Sequence, residues 1–431
     1  MNDPNGTVYH EGVYHLFYQH NPYRPRWGRI HWGHARSKDL VHWEHLPIAL
    51  SPEGAPEEMH CWSGCCVIAP DGTPMIFYTS VNACTLLSRA SRYAQQWVAT
   101  GSSDLLNWEK APMNPILEEA IHGARVPRHW RDPYVWRESD AWYMVIAGKF
   151  PSDTGGSALL YRSPDLRQWE YLGLLCQGGP ELGRGWECPN YFRLGGKHVL
   201  VVSPYQQVIY SVGEFTDHRH ITEAWHILDH GKAFYATNTF QEPGGRTILV
   251  GWVKARGEKG WAGCLSLPRE LRLTDDNKLW MGPIEELATL RHKHQHFEHQ
   301  LDGRGETKGT ASYFGECVEI QAVFELSQVD SLGFKLLDDQ NEYLLALDLP
   351  SQTFLAVEER ARLQFAAESG HLELHIFIDR SVIEIFINNR EAFTITFKPK
   401  LAQHHHLKII PFFINARGSV ALDFWTLQST S

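Results

Sequence analysis

Three acidic residues occur in short motifs that place a proline one or two positions after the acid. The motifs are Asn-Asp-Pro-Asn-Gly around Asp3, Arg-Asp-Pro around Asp132 and Trp-Glu-Cys-Pro around Glu187. Asp3 and Asp132 lie ten residues, and Glu187 eleven, before the start of a β-rich run, at positions 13, 142 and 198. Proline fixes φ and lacks an N–H, so it suits the beginning of a strand better than its middle. The shared spacing indicates that the acids occupy equivalent positions in repeated units.

Three carboxyl groups brought into one pocket have the chemistry of glycoside cleavage. One carboxylate attacks the anomeric carbon, a second carboxyl donates a proton to the leaving oxygen, and a third holds sugar hydroxyls. Burial and a like-charged neighbour raise the pKa of the proton donor. An aspartate before proline is also common in ordinary turns. The common register of all three acids favours a joint site over three unrelated turns.

Five runs rich in β-branched and aromatic residues predict strands that each follow a shorter strand across a turn. The runs cover 13–18, 75–79, 142–146, 198–202 and 247–252, with turns such as Asp71-Gly72 and Gly195-Gly196 before them. Short apolar runs bounded by glycine and acidic turn residues are typical of hairpins. Five hairpins predict five blades over residues 1–285.

A second repeat has the pattern Ser-x-Asp-Leu-x-x-Trp-Glu. Its tryptophans are Trp43, Trp108 and Trp169, which lie 65 and 61 residues apart. Repeats of this length, with several short strands each, indicate a β-propeller with one blade per repeat. We interpret the second repeat as structural, a turn with a tryptophan packed between blades. Since the innermost strands of a propeller surround its axis, the three acids are expected to face one axial funnel.

The pattern changes near residue 283 and predicts a second domain. Residues 286–296 fit a short helical linker that follows a proline. Residues 297–431 contain alternating apolar and polar runs, which favour a β-sandwich; the clearest are 318–324, 372–378 and 382–387. The predicted fold is therefore all-β, a five-bladed propeller followed by a C-terminal β-sandwich.

Composition excludes several classes of partner. The 431 residues carry a formal net charge of −10 with scattered Lys and Arg, which argues against nucleic acid. No apolar stretch is long enough for a bilayer, so no membrane partner is expected. The eight cysteines form no Cys-x-x-Cys pair, so we predict that the thiols are reduced. The sequence shows no signal peptide, so we expect a cytoplasmic protein. We expect it to be a monomer or a dimer.

The ordered motifs resemble those of glycoside hydrolase family 32, which comprises invertases, inulinases, levanases and related fructosyltransferases. Besides the three acidic motifs, the resemblance rests on Phe-Tyr-Gln-His-Asn-Pro at 17–22, Trp-Gly at 27–28, Trp-Gly-His-Ala at 32–35 and Trp-Ser-Gly at 62–64. It covers the whole chain and implies a five-bladed propeller with a C-terminal sandwich.

This resemblance implies a role for each acid. Asp3 would be the nucleophile, Glu187 the general acid/base, and Asp132 the stabiliser that binds fructosyl hydroxyls. Further residues would line the fructose subsite: Asn2, Gln19, Trp27, Trp62, Ser63 and Arg131. The reaction would retain configuration through a covalent fructosyl-enzyme, with the Asp3 and Glu187 carboxyls about 5–5.5 Å apart. Arg131 is expected to keep Asp132 ionised, and no metal or organic cofactor is expected.

The implied substrates are terminal non-reducing β-D-fructofuranosides in sucrose, fructo-oligosaccharides and inulin- or levan-type fructans. Fructosyl transfer to a sugar is an alternative that the motifs do not separate from hydrolysis. Another propeller glycosidase, acting on arabinosyl or xylosyl units, fits the motifs less well. A non-catalytic sugar-binding propeller remains if Asp3, two residues from Met1, is not held in place. Relatives often carry a second acid where Ala233 stands, which leaves the preferred leaving group open.

Overall fold

The computed structural model describes residues 1–54, 58–82, 94–257, 260–303, 305–308, 312–364, 370–402 and 406–429. The chain divides into two compact units. The first comprises Met1–Ile227 and Tyr235–Lys278, and the second comprises Leu228–Phe234 and Leu279–Ser431. Strands dominate both units, and within the described ranges no helix has the length and apolar character needed to cross a membrane.

Five consecutive antiparallel sheets build the first unit. Blade one contains β1 (Pro4–His10), β2 (Val13–His20), β3 (His31–Ser37) and β4 (Trp43–Leu50). Blade two contains β5 (His60–Ile68), β6 (Pro74–Val81), β7 (Ala94–Gly101) and β8 (Trp108–Lys110). Blade three contains β9 (Arg128–Glu138), β10 (Ala141–Lys149), β11 (Ser157–Ser163) and β12 (Glu170–Gln177).

Blade four contains β13 (Glu187–Leu194), β14 (Lys197–Ser203), β15 (Ile209–Thr216) and β16 (Arg219–Thr222) in that order, with β17 (His226–Ile227) paired to β15. In blade five, β18 (Phe234–Gln241) pairs with β19 (Thr247–Arg256), and β19 pairs with β21 (Arg269–Leu273); β20 (Ala262–Leu265) is an additional strand paired to β19. Two 3-10 helices, Glu119–His122 and Pro180–Leu182, lie in the connections before β9 and β13.

The first strand of each blade belongs to a closed inner ring. Strands β1, β5, β9 and β13 contact one another in that order. Strand β18 closes the ring on both sides. The Asn190 side-chain amide of β13 donates to the Thr237 carbonyl at 2.9 Å, and the Thr7 N–H of β1 donates to Asn238 Oδ1 at 3.0 Å. The predicted five blades are therefore confirmed. The motifs of Asp3 and Glu187 lie at the start of inner strands, and that of Asp132 lies within the first half of β9.

The second sequence repeat forms a tight turn, as predicted. In its first copy the Asp39 carboxylate accepts the His42 N–H at 2.8 Å, and Leu40 adopts a left-handed φ of 61°. The Trp43 indole N–H donates to the Leu40 carbonyl at 3.0 Å. The equivalent leucines of the other two copies have φ values of 59° and 66°. An aspartate that accepts backbone N–H groups stabilises such a turn without any catalytic role.

The tryptophans of this repeat pack against a neighbouring blade. The Trp108 ring meets Phe17 of blade one edge-on, with ring centroids 5.6 Å apart. The Trp169 ring meets Phe77 of blade two in the same way at 5.9 Å. These two copies of the repeat therefore each contribute a large apolar contact between consecutive blades, which fits their spacing of one blade.

The second unit is a β-sandwich. Its longer segment starts with β22 (Leu279–Pro283), which lies outside both sandwich sheets, and a 3-10 helix at Glu285–Leu290. One sheet has the order β23-β35-β26-β31-β32-β33, with bounds Arg291–Asp302, Arg417–Leu427, Cys317–Gln328, His371–Asp379, Val382–Ile387 and Glu391–Thr396. The other has the order β24-β34-β27-β28-β29-β30, with bounds Glu306–Lys308, Lys408–Ile414, Ser331–Leu337, Glu342–Asp348, Thr353–Ala356 and Glu359–Arg362; β25 (Tyr313–Phe314) pairs with β34.

Alternation in the strands produces the core between the two sheets. Alternate residues of β26 point inward and are fully buried, as are those of β27 in the facing sheet; they include Ile320, Phe324, Leu332 and Phe334. The helical linker predicted for residues 286–296 is wrong from Arg291 onward. Strand β23 begins there, because its residues pair with β35 along its whole length.

Candidate active site

Asp3 lies directly before β1 and is held by three side chains. Its Oδ2 accepts hydrogen bonds from Ser63 Oγ at 2.6 Å and from Gln19 Nε2 at 3.2 Å, and its Oδ1 accepts one from Asn2 Nδ2 at 3.1 Å. The backbone is fixed as well, since the Gln19 N–H donates to the Asp3 carbonyl at 2.9 Å. These contacts give the carboxylate a defined orientation despite its position near the amino terminus.

Asp132 lies in β9 and is buried at 5% exposure. Its N–H donates to Thr79 Oγ1 at 2.9 Å, and its Oδ2 accepts the Cys188 N–H at 2.9 Å. The Cys188 thiol lies 3.7 Å from Oδ2 of both Asp132 and Asp3. The structure therefore brings the first two predicted acids together around one cysteine of the third motif.

Glu187, at the start of β13, pairs with Arg131. The guanidinium Nη2 donates to Glu187 Oε1 at 2.6 Å and Nε donates to the same oxygen at 3.2 Å. Arg131 Nε lies farther from Asp132 Oδ2, at 3.8 Å. All three predicted acids therefore share one site, with Arg131 between two of them.

Arg131 favours the ionised form of Asp132, but burial has the larger effect on the pKa of that carboxyl. Burial raises the pKa of Asp132 to about 7; Arg131 opposes this shift and the neighbouring Glu187 adds to it. The arginine is engaged mainly by Glu187, so it compensates the burial of Asp132 only in part. Burial also raises the pKa of Asp3, although the hydrogen bond from Ser63 counteracts it.

Irregular backbone aims these side chains into the funnel. The inner strands lose register at corresponding places: between Asn5 and Val8 in β1, Cys61 and Gly64 in β5, and Glu187 and Asn190 in β13. Asp132 and Cys188 have left-handed φ values of 65° and 45°. β-Bulges are common beside active sites because they redirect a side chain. The acid-proline motifs thus encode local irregularity as well as the acids.

An aromatic row extends from Arg131 toward the surface. The Trp62 ring centroid lies 5.8 Å from the Arg131 guanidinium carbon. His60 lies 6.4 Å from Trp62, and Trp27 stacks on His60 at 5.0 Å. Trp27 is 58% exposed, so it lies farther out than the other predicted subsite residues. Sugar rings bind such rows through their apolar faces.

Two tyrosines of this site were given no role in the sequence analysis. Tyr235, at the start of blade five, donates its hydroxyl to Glu187 Oε2 at 2.7 Å. Tyr205, between β14 and β15, has its hydroxyl bonded to Arg131 Nη2 and its N–H bonded to the Tyr235 hydroxyl. Tyr235 could have been suspected from its place opposite the other motifs, whereas no sequence signal marks Tyr205.

Comparison with protein families agrees with this geometry. Residues 1–283 match the glycosyl hydrolases family 32 N-terminal domain, and residues 286–426 match the family 32 C-terminal domain. A sucrose-6-phosphate hydrolase of Zymomonas mobilis is 33% identical over 91% of this chain and 82% of its own length. A raffinose invertase of Escherichia coli is 31% identical over 91% of this chain and 85% of its own.

Solved structures include a family 32 β-fructofuranosidase of Bombyx mori. It is 29% identical, covers all of this chain and 92% of its own, and superposes with a TM-score of 0.80. A mutant of the same enzyme has been determined in complex with sucrose. The family match spans nearly the whole chain, so the protein belongs to glycoside hydrolase family 32, the glycosidases that cleave β-fructofuranosides.

Proposed function

We propose that this protein is a retaining hydrolase of terminal β-D-fructofuranosides, with Asp3 as nucleophile, Glu187 as general acid/base and Asp132 as stabiliser. The observation that carries the proposal is the convergence of the three carboxyls: Cys188 joins Asp3 to Asp132, and Arg131 joins Asp132 to Glu187. Two carboxyls on one anomeric centre supply both the attacking oxygen and the proton for the leaving group.

The contacts of each acid support its role. Asp3 accepts hydrogen bonds from Ser63 and Gln19 at Oδ2 and from Asn2 at Oδ1, which together fix the carboxylate in one orientation. This fixation argues against the alternative of a propeller that binds sugar without cleaving it. Asp132 is buried and accepts the Cys188 N–H, so its free oxygen can accept hydrogen bonds from fructosyl hydroxyls.

Arg131 and Tyr235 support Glu187 as the proton donor. Each contacts a different oxygen of its carboxyl group, Arg131 at Oε1 and Tyr235 at Oε2. A general acid must be oriented toward the leaving oxygen before it can transfer a proton. Two fixed contacts provide this orientation, and the retaining mechanism then reuses the same group as a base toward water.

The test is fructose release from sucrose, inulin and levan by the wild type, Asp3→Ala and Glu187→Ala proteins. We expect release by the wild type and its loss in both variants, with the initial product in the β configuration. With a fructoside whose leaving group needs no protonation, azide should restore turnover to Glu187→Ala and give the β-fructosyl azide, because azide attacks the fructosyl-enzyme on Asp3 without needing a base. In Asp3→Ala any azide product should have the α configuration, because azide would then displace the leaving group directly. An α-configured first product would contradict the retaining mechanism. Unchanged fructose release in Asp3→Ala or Glu187→Ala would contradict the role proposed for the residue replaced in that variant.

We also propose that the substrate range includes sucrose phosphorylated on glucose. A loop between β2 and β3 carries three exposed arginines, Arg24, Arg26 and Arg29, next to Trp27. Guanidinium groups bind phosphate oxygens in a bidentate manner, and a relative is named for sucrose 6-phosphate. Hydrolysis of sucrose 6-phosphate with a lower KM than sucrose, and loss of that difference when all three arginines become serine, would support this range. Equal KM values would contradict it.

A further inference from the structure

Tyr205 occupies an unusual place at the rim of the site. It lies in the connection between β14 and β15, with a left-handed φ of 64° and 55% of its surface exposed. A residue other than glycine, Asn or Asp seldom adopts this conformation, and surrounding contacts must maintain it. Such outliers concentrate at functional sites. An exposed aromatic ring held in a strained backbone therefore raises the question of what it contacts.

Tyr205 is connected to both groups that hold Glu187. Its hydroxyl is bonded by Arg131 Nη2, which also donates to Glu187 Oε1. Its N–H donates at 2.9 Å to the Tyr235 hydroxyl, which donates to Glu187 Oε2. The ring is therefore anchored at its hydroxyl and at its backbone, on the side of the site where Glu187 lies.

The ring also lies against the segment that leads into β13. A Cβ built on Gly185, two residues before Glu187, would be 3.3 Å from Tyr205 Cε2. A larger residue at 185 would thus press on the ring. Because the hydroxyl, the N–H and one ring edge are all occupied, the orientation of the ring is fixed while much of its surface stays accessible to solvent.

We infer that Tyr205 is the stacking platform for the departing sugar, a hexopyranose or fructofuranose ring bound beside Glu187. The inference rests on the proposed function: the general acid protonates the leaving oxygen, so the leaving group must lie next to Glu187. Aromatic rings bind the apolar face of a sugar, and a ring already fixed in place loses little freedom on binding. Tyr205 thus selects the leaving group, whereas Asp3 and Asp132 act on the fructosyl group.

The test compares a substrate with a sugar leaving group and one without. Sucrose releases glucose, whereas methyl β-D-fructofuranoside releases methanol, which cannot stack. Tyr205→Ala should lower kcat/KM for sucrose about threefold to tenfold more than it lowers kcat/KM for the methyl fructoside. Tyr205→Phe keeps the ring and should retain most activity on sucrose. Phe314→Ala, which removes an aromatic of 54% exposure in the second unit, is the matched control.

Three results would overturn the inference. An equal loss on both substrates in Tyr205→Ala would mean that Tyr205 acts through Arg131 and Glu187. A loss on sucrose as large in Tyr205→Phe as in Tyr205→Ala would assign the effect to the hydroxyl. Unchanged sucrose kinetics in Tyr205→Ala would exclude a platform. Failure of the proposed function is distinguishable from all three, since the wild type would then cleave neither substrate.

Discussion

Aspartates occupy two kinds of repeated position in the propeller, and the two environments shift the pKa of the carboxyl group in opposite directions. Asp165 belongs to the third copy of the Ser-x-Asp-Leu-x-x-Trp-Glu repeat, which forms an outer turn of the propeller. It is exposed and accepts hydrogen bonds from the N–H groups of Arg167 and Gln168 at 2.9 Å each. The Gln168 hydrogen bond is the main reason that its pKa is lowered. Asp132, on the inner ring, is buried and has a pKa raised to about 7. One environment stabilises the charged carboxylate and the other opposes it.

The difference separates residues that serve the fold from those that serve the reaction. A carboxylate that accepts backbone N–H groups at the surface stabilises its turn at little cost. A carboxylate buried beside two other acids destabilises the folded protein at neutral pH, because its charge is poorly solvated. Such a group is retained in a structure when it has a function, as strained and buried polar groups often do at active sites.

The largest contrast is expected in catalysis. Asp132→Asn should lower kcat/KM for sucrose by about 10²–10³-fold, because the neutral amide loses the electrostatic stabilisation of charge developing on the fructosyl group. Asp165→Asn should leave kcat/KM unchanged, since its amide oxygen can still accept the turn hydrogen bonds. Steady-state kinetics of the two variants measures this difference. Similar losses in both would abolish the distinction between the two kinds of aspartate.

A smaller loss is expected for Arg131→Lys. Lysine keeps the charge but cannot contact Glu187 through two nitrogens, so the proton donor loses its fixed orientation. We expect kcat/KM to fall about 10-fold to 100-fold, mostly through kcat, because misplaced catalytic groups lose rate steeply. Arg167→Lys, in the outer turn, is the matched control. Wild-type kcat in Arg131→Lys would show that positive charge alone is required.

Thermal stability should respond to pH in opposite ways at the two positions. Asp132 is protonated in the folded protein up to about pH 7 but only to about pH 3.8 when unfolded, so it opposes folding increasingly as pH rises through that window. Asp132→Asn should therefore raise Tm relative to the wild type by at least about 2 °C at pH 8 and by less at pH 4. Calorimetry at both pH values tests this. A lower Tm for the variant at pH 8 would contradict it.

The smallest effect is expected at the outer turn. Asp165→Ala removes the acceptor of two backbone N–H groups and should destabilise the protein by about 1 kcal/mol at pH 7. Because folding lowers the pKa of Asp165, this stabilisation is present above pH 3.8 and is lost as pH falls below it. Denaturant titrations at pH 7 and pH 3 measure the change. A destabilisation by Asp165→Ala that is larger at pH 3 than at pH 7 would contradict the stabilising role of the charged Asp165 carboxylate.

The sequence predicts the architecture well because both repeats are local. The turn aspartates and the Trp43 contact lie within a few residues of each other, and hairpins are marked by their own turns. The spacing of ten or eleven residues from each acid to the next β-rich run also reflects one blade geometry, so the sequence alone predicts that Asp3, Asp132 and Glu187 lie on the inner ring.

Contacts within the site were predicted less well because they join distant blades. Adjacency in sequence suggested that Arg131 serves Asp132, but the bulged backbone turns it toward Glu187, 56 residues away. Tyr205 and Tyr235 reach Glu187 and its partners across connections whose course one sequence does not specify. Chain adjacency is a poor guide wherever the backbone is irregular.

The most direct test of the central claim is to trap the covalent intermediate. Glu187→Gln protein, mixed briefly with a fructoside that has a good leaving group, should form the fructosyl-enzyme faster than water can remove it. Mass spectrometry of a rapid acid quench should then find one added fructosyl residue on the peptide that contains Asp3. We expect this adduct on Asp3 and none in Asp3→Asn protein. A fructosyl adduct on Asp132, or one that persists in Asp3→Asn, would contradict it.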